Sequence, residues 1–128
     1  MAAMSNYLEN ALVNAVLRNT SYTSPTTVYV GLFTTDPTDA GSGTEVSGGA
    51  YARKSAAFAA PSDGAAATTA TITFDQATDA WGTVTHFGIF DASTSGNLLF
   101  HGAFTVSKTV GTGDVFTIPS GSLTVTLA

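Results

Sequence analysis

Residues 81–106 read WGTVTHFGIFDASTSGNLLFHGAFTV, two apolar runs on either side of a polar loop. WGTVTHFGIF (81–90) and LLFHGAFTV (98–106) are rich in β-branched and aromatic residues, and ASTSGN (92–97) supplies turn formers. That combination predicts an antiparallel hairpin with a loop longer than the two-residue minimum. Upstream, TVYVGLF (27–33) sets Val28, Val30 and Leu32 against Tyr29 and Phe33. Both faces are apolar, so this strand is expected to be covered on both sides. YARKSAAF (51–58) reads as a weaker strand, broken by PSDGAAA (61–67), and TATITF (69–74) alternates Ala70, Ile72 and Phe74 with threonines. DVFTI (114–118), the turn PSG and SLTVTL (122–127) complete the set. About seven strands with frequent turns predict a mainly β fold over residues 27–127, an antiparallel β-sandwich or jelly-roll-like body.

One segment breaks the period of two. In SNYLENALVNAVLRN (5–19), Leu8, Leu12, Ala15 and Val16 recur at helical spacing and form one apolar stripe. Asn6 is placed to cap this N-terminal amphipathic α-helix, with Glu9 three residues on. Arg18 suits the last turn and Asn19 the stop. A helix this short is marginal alone in water, so the stripe must dock. The expected dock is the sandwich face carrying Tyr29 and Phe33, with another polypeptide, a neighbouring copy or a larger assembly it sits on, as the rival.

The 128 residues make one domain, 1–128, long enough to bury roughly two-thirds of its unfolded surface. Hydrophobic residues are 44% and charged residues only 10%, against about 25% in ordinary soluble domains. Interfaces shed charge in their buried centres, so the deficit points to a subunit that shares its surface with neighbours. The net charge of −5 leaves four cations, Arg18, Arg53, Lys54 and Lys108. Such a scatter does not make a phosphate-neutralising footprint, which excludes nucleic acid as a direct partner. There are no cysteines, hence no disulfide, thiolate metal site or thiol nucleophile. MAAMSNYLEN has neither the basic start nor the apolar run of a signal peptide, and no stretch approaches a membrane span.

No motif for catalysis emerges. His86 and His101 lie in the two strands of the hairpin and share a face only if paired positions have odd sums. Two histidines with no acid at ligand spacing read as sheet residues and not as a zinc site. A serine hydrolase elbow is absent. GTGD (111–114) precedes a strand where a dinucleotide site needs a helix, so it reads as a turn. Asp36, Asp39 and Glu45, in the long loop TDPTDAGSGTEVSGGA (35–50), lack the calcium-loop pattern and read as solvated. A loop of that length is commonly functional or mobile. Trp81, at a sheet margin, and Tyr51, flanking the loop, join Tyr7, Leu8, Leu12 and Val16 of the helix as candidate interface residues. No cofactor is expected.

The run from SNYLENALVNAVLRN through TVYVGLFTTDPTDAGSGTEVSGGAYAR, with WGTVTHFGIFDASTSGNLLFHGAF and the closing SLTVTL, resembles a family of small structural proteins from tailed bacteriophages. Its members are labelled tail-fibre or head-decoration proteins. Gly31 stands where that pattern has a larger residue such as Ala. The resemblance covers nearly the whole chain and implies a virion component, assembled in the host cytoplasm, oligomeric and with a β-sandwich body. With no catalytic motif the chain is not expected to be an enzyme, a small glycan hydrolase being held in reserve. Two functions compete. One is a capsid decoration or cement protein on the outer shell, a homotrimer bridging copies of the major capsid protein. The alternative is a tail-fibre or receptor-binding tip that recognises host glycans. Compactness favours decoration, as does the lack of aromatic residues in the loop at 35–50.

Overall fold

The computed structural model describes residues 2–127. The predicted hairpin is its spine: β6 (Gly82–Phe90) and β7 (Leu98–Val110) pair antiparallel. Beside β6 runs β2 (Val28–Phe33), and beyond it β3 (Lys54–Ala56). On the far side β1 (Ala2–Met4) pairs with β7, which gives the antiparallel order β1–β7–β6–β2–β3. Opposite this sheet lie two short ladders, β4 (Ala65–Ala67) with β9 (Thr124–Thr126) and β5 (Ile72–Thr73) with β8 (Thr117–Ile118). They bring Ile72, Phe74, Phe116, Ile118, Leu123 and Val125 onto Val30, Leu32, Phe87 and Ile89 to close one core. This is a two-layer, sandwich-like body. Its second layer is shorter than the alternating runs suggest, because TATITF ladders only at Ile72–Thr73 and Ala70 is exposed.

The opposite face of the large sheet has its own apolar layer. Gly31 pairs with Gly88 at its centre, and their bare backbones let side chains lie flat over them. Phe33 and Phe90 stack at 6.0 Å and 11° and are buried with Leu98. A Cβ on Gly88 would come within 2.9 Å of Leu98, Phe33 and Phe90 at once, so glycine is required there for packing.

The larger of two register shifts between β6 and β7 lies in the outer half of β7. Val84 pairs with Lys108 but His86 with Ala103, so residues 104–107 face Thr85 alone and swell outward. A bulge of this size interrupts regular pairing, which resumes at Lys108, and blunts a strand that lacks a second neighbour there. It also leaves Val106 69% exposed.

The helix α1 (Asn6–Leu17) departs from expectation at its start and in its dock. Ser5 and not Asn6 is the cap, because β1 runs straight into it in extended conformation (φ −74°, ψ 160°). The Ser5 hydroxyl accepts from the Leu8 amide at 3.2 Å and donates to the Leu98 carbonyl, and the Ser5 amide donates to the Leu99 carbonyl. The cap is therefore bolted to the sheet. Asn19 ends the helix in the left-handed region (φ 54°), as its side chain favours. The helix packs on β7 and not over Tyr29 and Phe33. Leu8 is buried, Leu12 and Ala15 are half-buried, and Val16 is 77% exposed.

Candidate functional site

What covers Phe33 and Phe90 is a polar lock. The long loop runs back beside β2, where Val46 donates to the Leu32 carbonyl, Thr34 to the Thr44 carbonyl, and Glu45 bridges to Phe33. This places the Glu45 carboxylate against Arg53. The guanidinium grips it through Nε (2.9 Å) and Nη2 (2.8 Å), a bidentate, charge-assisted pair. Nη1 donates to the Ala92 and Ser95 carbonyls at 3.0 and 2.7 Å, and the guanidinium sits 3.5 Å over the Phe90 ring. Tyr51 completes the lock: its hydroxyl donates to Glu45 at 2.6 Å and accepts from the Leu32 amide at 2.9 Å. Burial first, then Glu45, pushes the Tyr51 phenol far above its ordinary range. One arginine thus fastens the 35–50 loop and the hairpin loop to a single corner. Glu45, expected to be solvated, is a partner in a largely buried ion pair.

The histidines fall on the odd-sum register, His86 with Ala103 and His101 with Gly88, so they share a face. They do not form a pair. His86 Nδ1 bonds the Thr85 hydroxyl at 2.7 Å, whereas His101 Nε2 bonds Asp39 at 2.7 Å with Asp36 3.8 Å from Nδ1. The Asp39 carbonyl accepts from the Asn6 amide at 2.9 Å, so this contact also anchors the helix start. Among the described residues no group of three or more His, Cys, Asp or Glu is placed to hold a metal ion.

The remaining features are surfaces. Val13, Val16 and Leu17 stand at helix spacing on the outer side of α1, 53%, 77% and 76% exposed, and form an apolar ridge. A cleft of about 660 Å³ opens beneath the bulge, between Phe104, Thr105 and Lys108 on one wall and Thr117, Ser122 and Thr124 on the other. A second cleft, of about 500 Å³, is walled by Val28, Phe58, Pro61, Ala66, Phe100 and Leu127 and has no charged residue in its lining.

The expected interface residues divide between inside and outside. Trp81 is buried, donates from Nε1 to the Gly49 carbonyl at 2.9 Å and meets Tyr51 edge-on at 5.4 Å. Leu8 and Tyr51 are likewise engaged within their own chain, and Leu12 is half-covered. Tyr7 and Val16 face outward. Leu17 and the bulge at 104–107 were missed: Leu17 falls outside the stripe the period selects, and a bulge leaves no mark on an alternating pattern.

A family model described as Podophage GP4 fiber I protein gp80 matches residues 3–126. No curated protein matches the chain.

Proposed function

The chain belongs to the family of the Podophage GP4 fiber I protein gp80, a tailed-phage virion structural family, and from that premise we propose that it is a fibre subunit that binds polypeptides and host-surface glycans and catalyses no reaction. The match over residues 3–126 carries this reading, because its description is of a fibre. The charge pattern supports it. Arg53 is held by Glu45 and Lys54 by Asp75, which leaves few free cations on a sparsely charged, partly apolar exterior of the kind that oligomer contacts use. The subunit is a homo-oligomer, with a trimer as the symmetric form that multiplies weak contacts. The cleft beneath the bulge suits a sugar: Phe104 offers an apolar wall, and Thr105, Thr117, Ser122 and Thr124 offer hydroxyls.

The second reading is capsid decoration, in which the protein cements major capsid subunits. It is favoured by the compact two-layer body, whose helix is 12 residues long. Labelling intact particles separates the two. Signal on fibres, with adsorption to cells lost when the protein is removed, is the expected result. Signal over the head shell, with particles lacking the protein breaking at lower heat, overturns the fibre reading in favour of decoration.

A further inference from the structure

We infer that copies of this chain join head to tail, the helix ridge of one seated in the uncharged cleft of the next. The inference rests on the oligomeric reading above and names the surfaces that make the contact. Two unpartnered apolar surfaces occur on one chain, and they differ in shape. Val13, Val16 and Leu17 project from α1, while Val28, Phe58, Pro61, Ala66, Phe100 and Leu127 recede around a cleft of about 500 Å³. Neither Val16 nor Leu17 lines the cleft of its own copy, and both remain more than three-quarters exposed.

Charge argues for the same pairing. The ridge lies between Glu9 and Arg18 with no ionisable residue in positions 10–17, and the cleft lining contains none. Docking therefore removes apolar surface from water and strands no ion, which is the costly failure of mismatched interfaces. A charged or strongly polar partner has nothing to meet in either surface. The cleft under the bulge, with Lys108 and hydroxyls on its walls, is a poorer seat for the ridge. Because a ridge and a cleft are different patches, the contact is heterologous: each copy gives one and receives one, and the chain of contacts closes into a ring when the rotation allows.

The test uses two variants of the full chain. In one, Val16→Asp and Leu17→Asp together charge the ridge. In the other, Leu127→Asp, at a residue 45% exposed, charges the cleft rim. Far-UV circular dichroism and thermal melting check that both fold, and sedimentation velocity reads assembly. The expected result is that each variant alone loses the oligomer the unchanged chain forms. Mixed one to one, they form a dimer and nothing larger, since only the intact ridge of the second fits the intact cleft of the first. If the unchanged chain assembles but either variant does so equally, or the mixture stays monomeric, this docking is wrong while the oligomeric fibre subunit stands. An unchanged chain that is monomeric at all concentrations overturns both. If Leu127→Asp fails to fold, Ala66→Ser takes its place, with a weakened oligomer expected and an unaltered one overturning the proposal.

Discussion

The corner around Arg53 and the outer side of α1 treat scarce charge in opposite ways. At the corner, a guanidinium 9% exposed holds a carboxylate, two carbonyls and an aromatic face, and the long loop lies under it as fixed structure. On the helix, three apolar side chains stand in solvent between one glutamate and one arginine, each left outside the packed core. At these two places charge is used where it orients loops and withheld where it would oppose contact. Two of the four cations, Arg53 and Lys54, are held in ion pairs with Glu45 and Asp75.

The sharpest way to break this comparison is Arg53→Met, which keeps bulk over Phe90 but leaves Glu45 without its counter-ion and the Ala92 and Ser95 carbonyls without this donor. Removing one partner of a buried pair costs about 3 kcal/mol or more, read as a lower urea midpoint. A loss below about 1 kcal/mol would make the corner no different from a surface pair. Next in size is Gly88→Ala, whose new methyl meets three fixed side chains at 2.9 Å. Overpacking predicts a loss of about 1–3 kcal/mol by the same measurement.

Tyr51→Phe is expected to cost about 1 kcal/mol at neutral pH, since it removes bonds to Glu45 and the Leu32 amide. Its pH signature is more specific. Burial and Glu45 raise the folded-state phenol above its ordinary 10.0, whereas in the unfolded chain it ionises near that value. Above it the unfolded chain has shed a proton that the folded chain retains, so stability falls as pH rises. The alkaline decline should be shallower in Tyr51→Phe than in the unchanged protein, by urea unfolding across roughly pH 9 to 11. Equal slopes would place the phenol in solvent.

The parts legible in the sequence were those fixed by local period. The hairpin at 81–106, strand 28–33, the helix and its stop at Asn19 all follow from neighbours a few residues apart. What stayed hidden depends on residues far apart in the chain. Ala2–Met4 carries no alternation, yet pairs with Phe100–Gly102 because β7 offers an open edge. That pairing moves the helix cap from Asn6 to Ser5. Glu45 looked solvated because its partners, Arg53 and Tyr51, reach it only once the loop folds back along β2. Trp81 looked like a margin residue and Tyr51 like a loop flank for the same reason, and Gly49 and Glu45 hold them inside. Val16 belongs to the stripe by period but extends past the end of its dock, so periodicity assigned it to the core and geometry to the surface.

Leu17→Ser carries the smallest expected effect and bears most directly on the contrast between corner and ridge. An exposed apolar side chain in the last helical turn contributes little to folding, so stability should stay within about 0.5 kcal/mol of the unchanged chain. Leu also has somewhat better helix propensity than Ser, which sets the sign as a slight loss. Assembly should respond instead, with the sedimentation-derived midpoint concentration rising about tenfold or more, since burying one leucine at a contact is worth about 1.5–3 kcal/mol. The two readouts must diverge if the ridge faces a partner. A variant that loses several kcal/mol of folding stability would mean that Leu17 closes its own core, and the ridge would then be part of the fold like the corner at Arg53. A variant altered in neither readout would leave the helix an ordinary solvated one, with its exposed leucine and valines incidental to both folding and assembly.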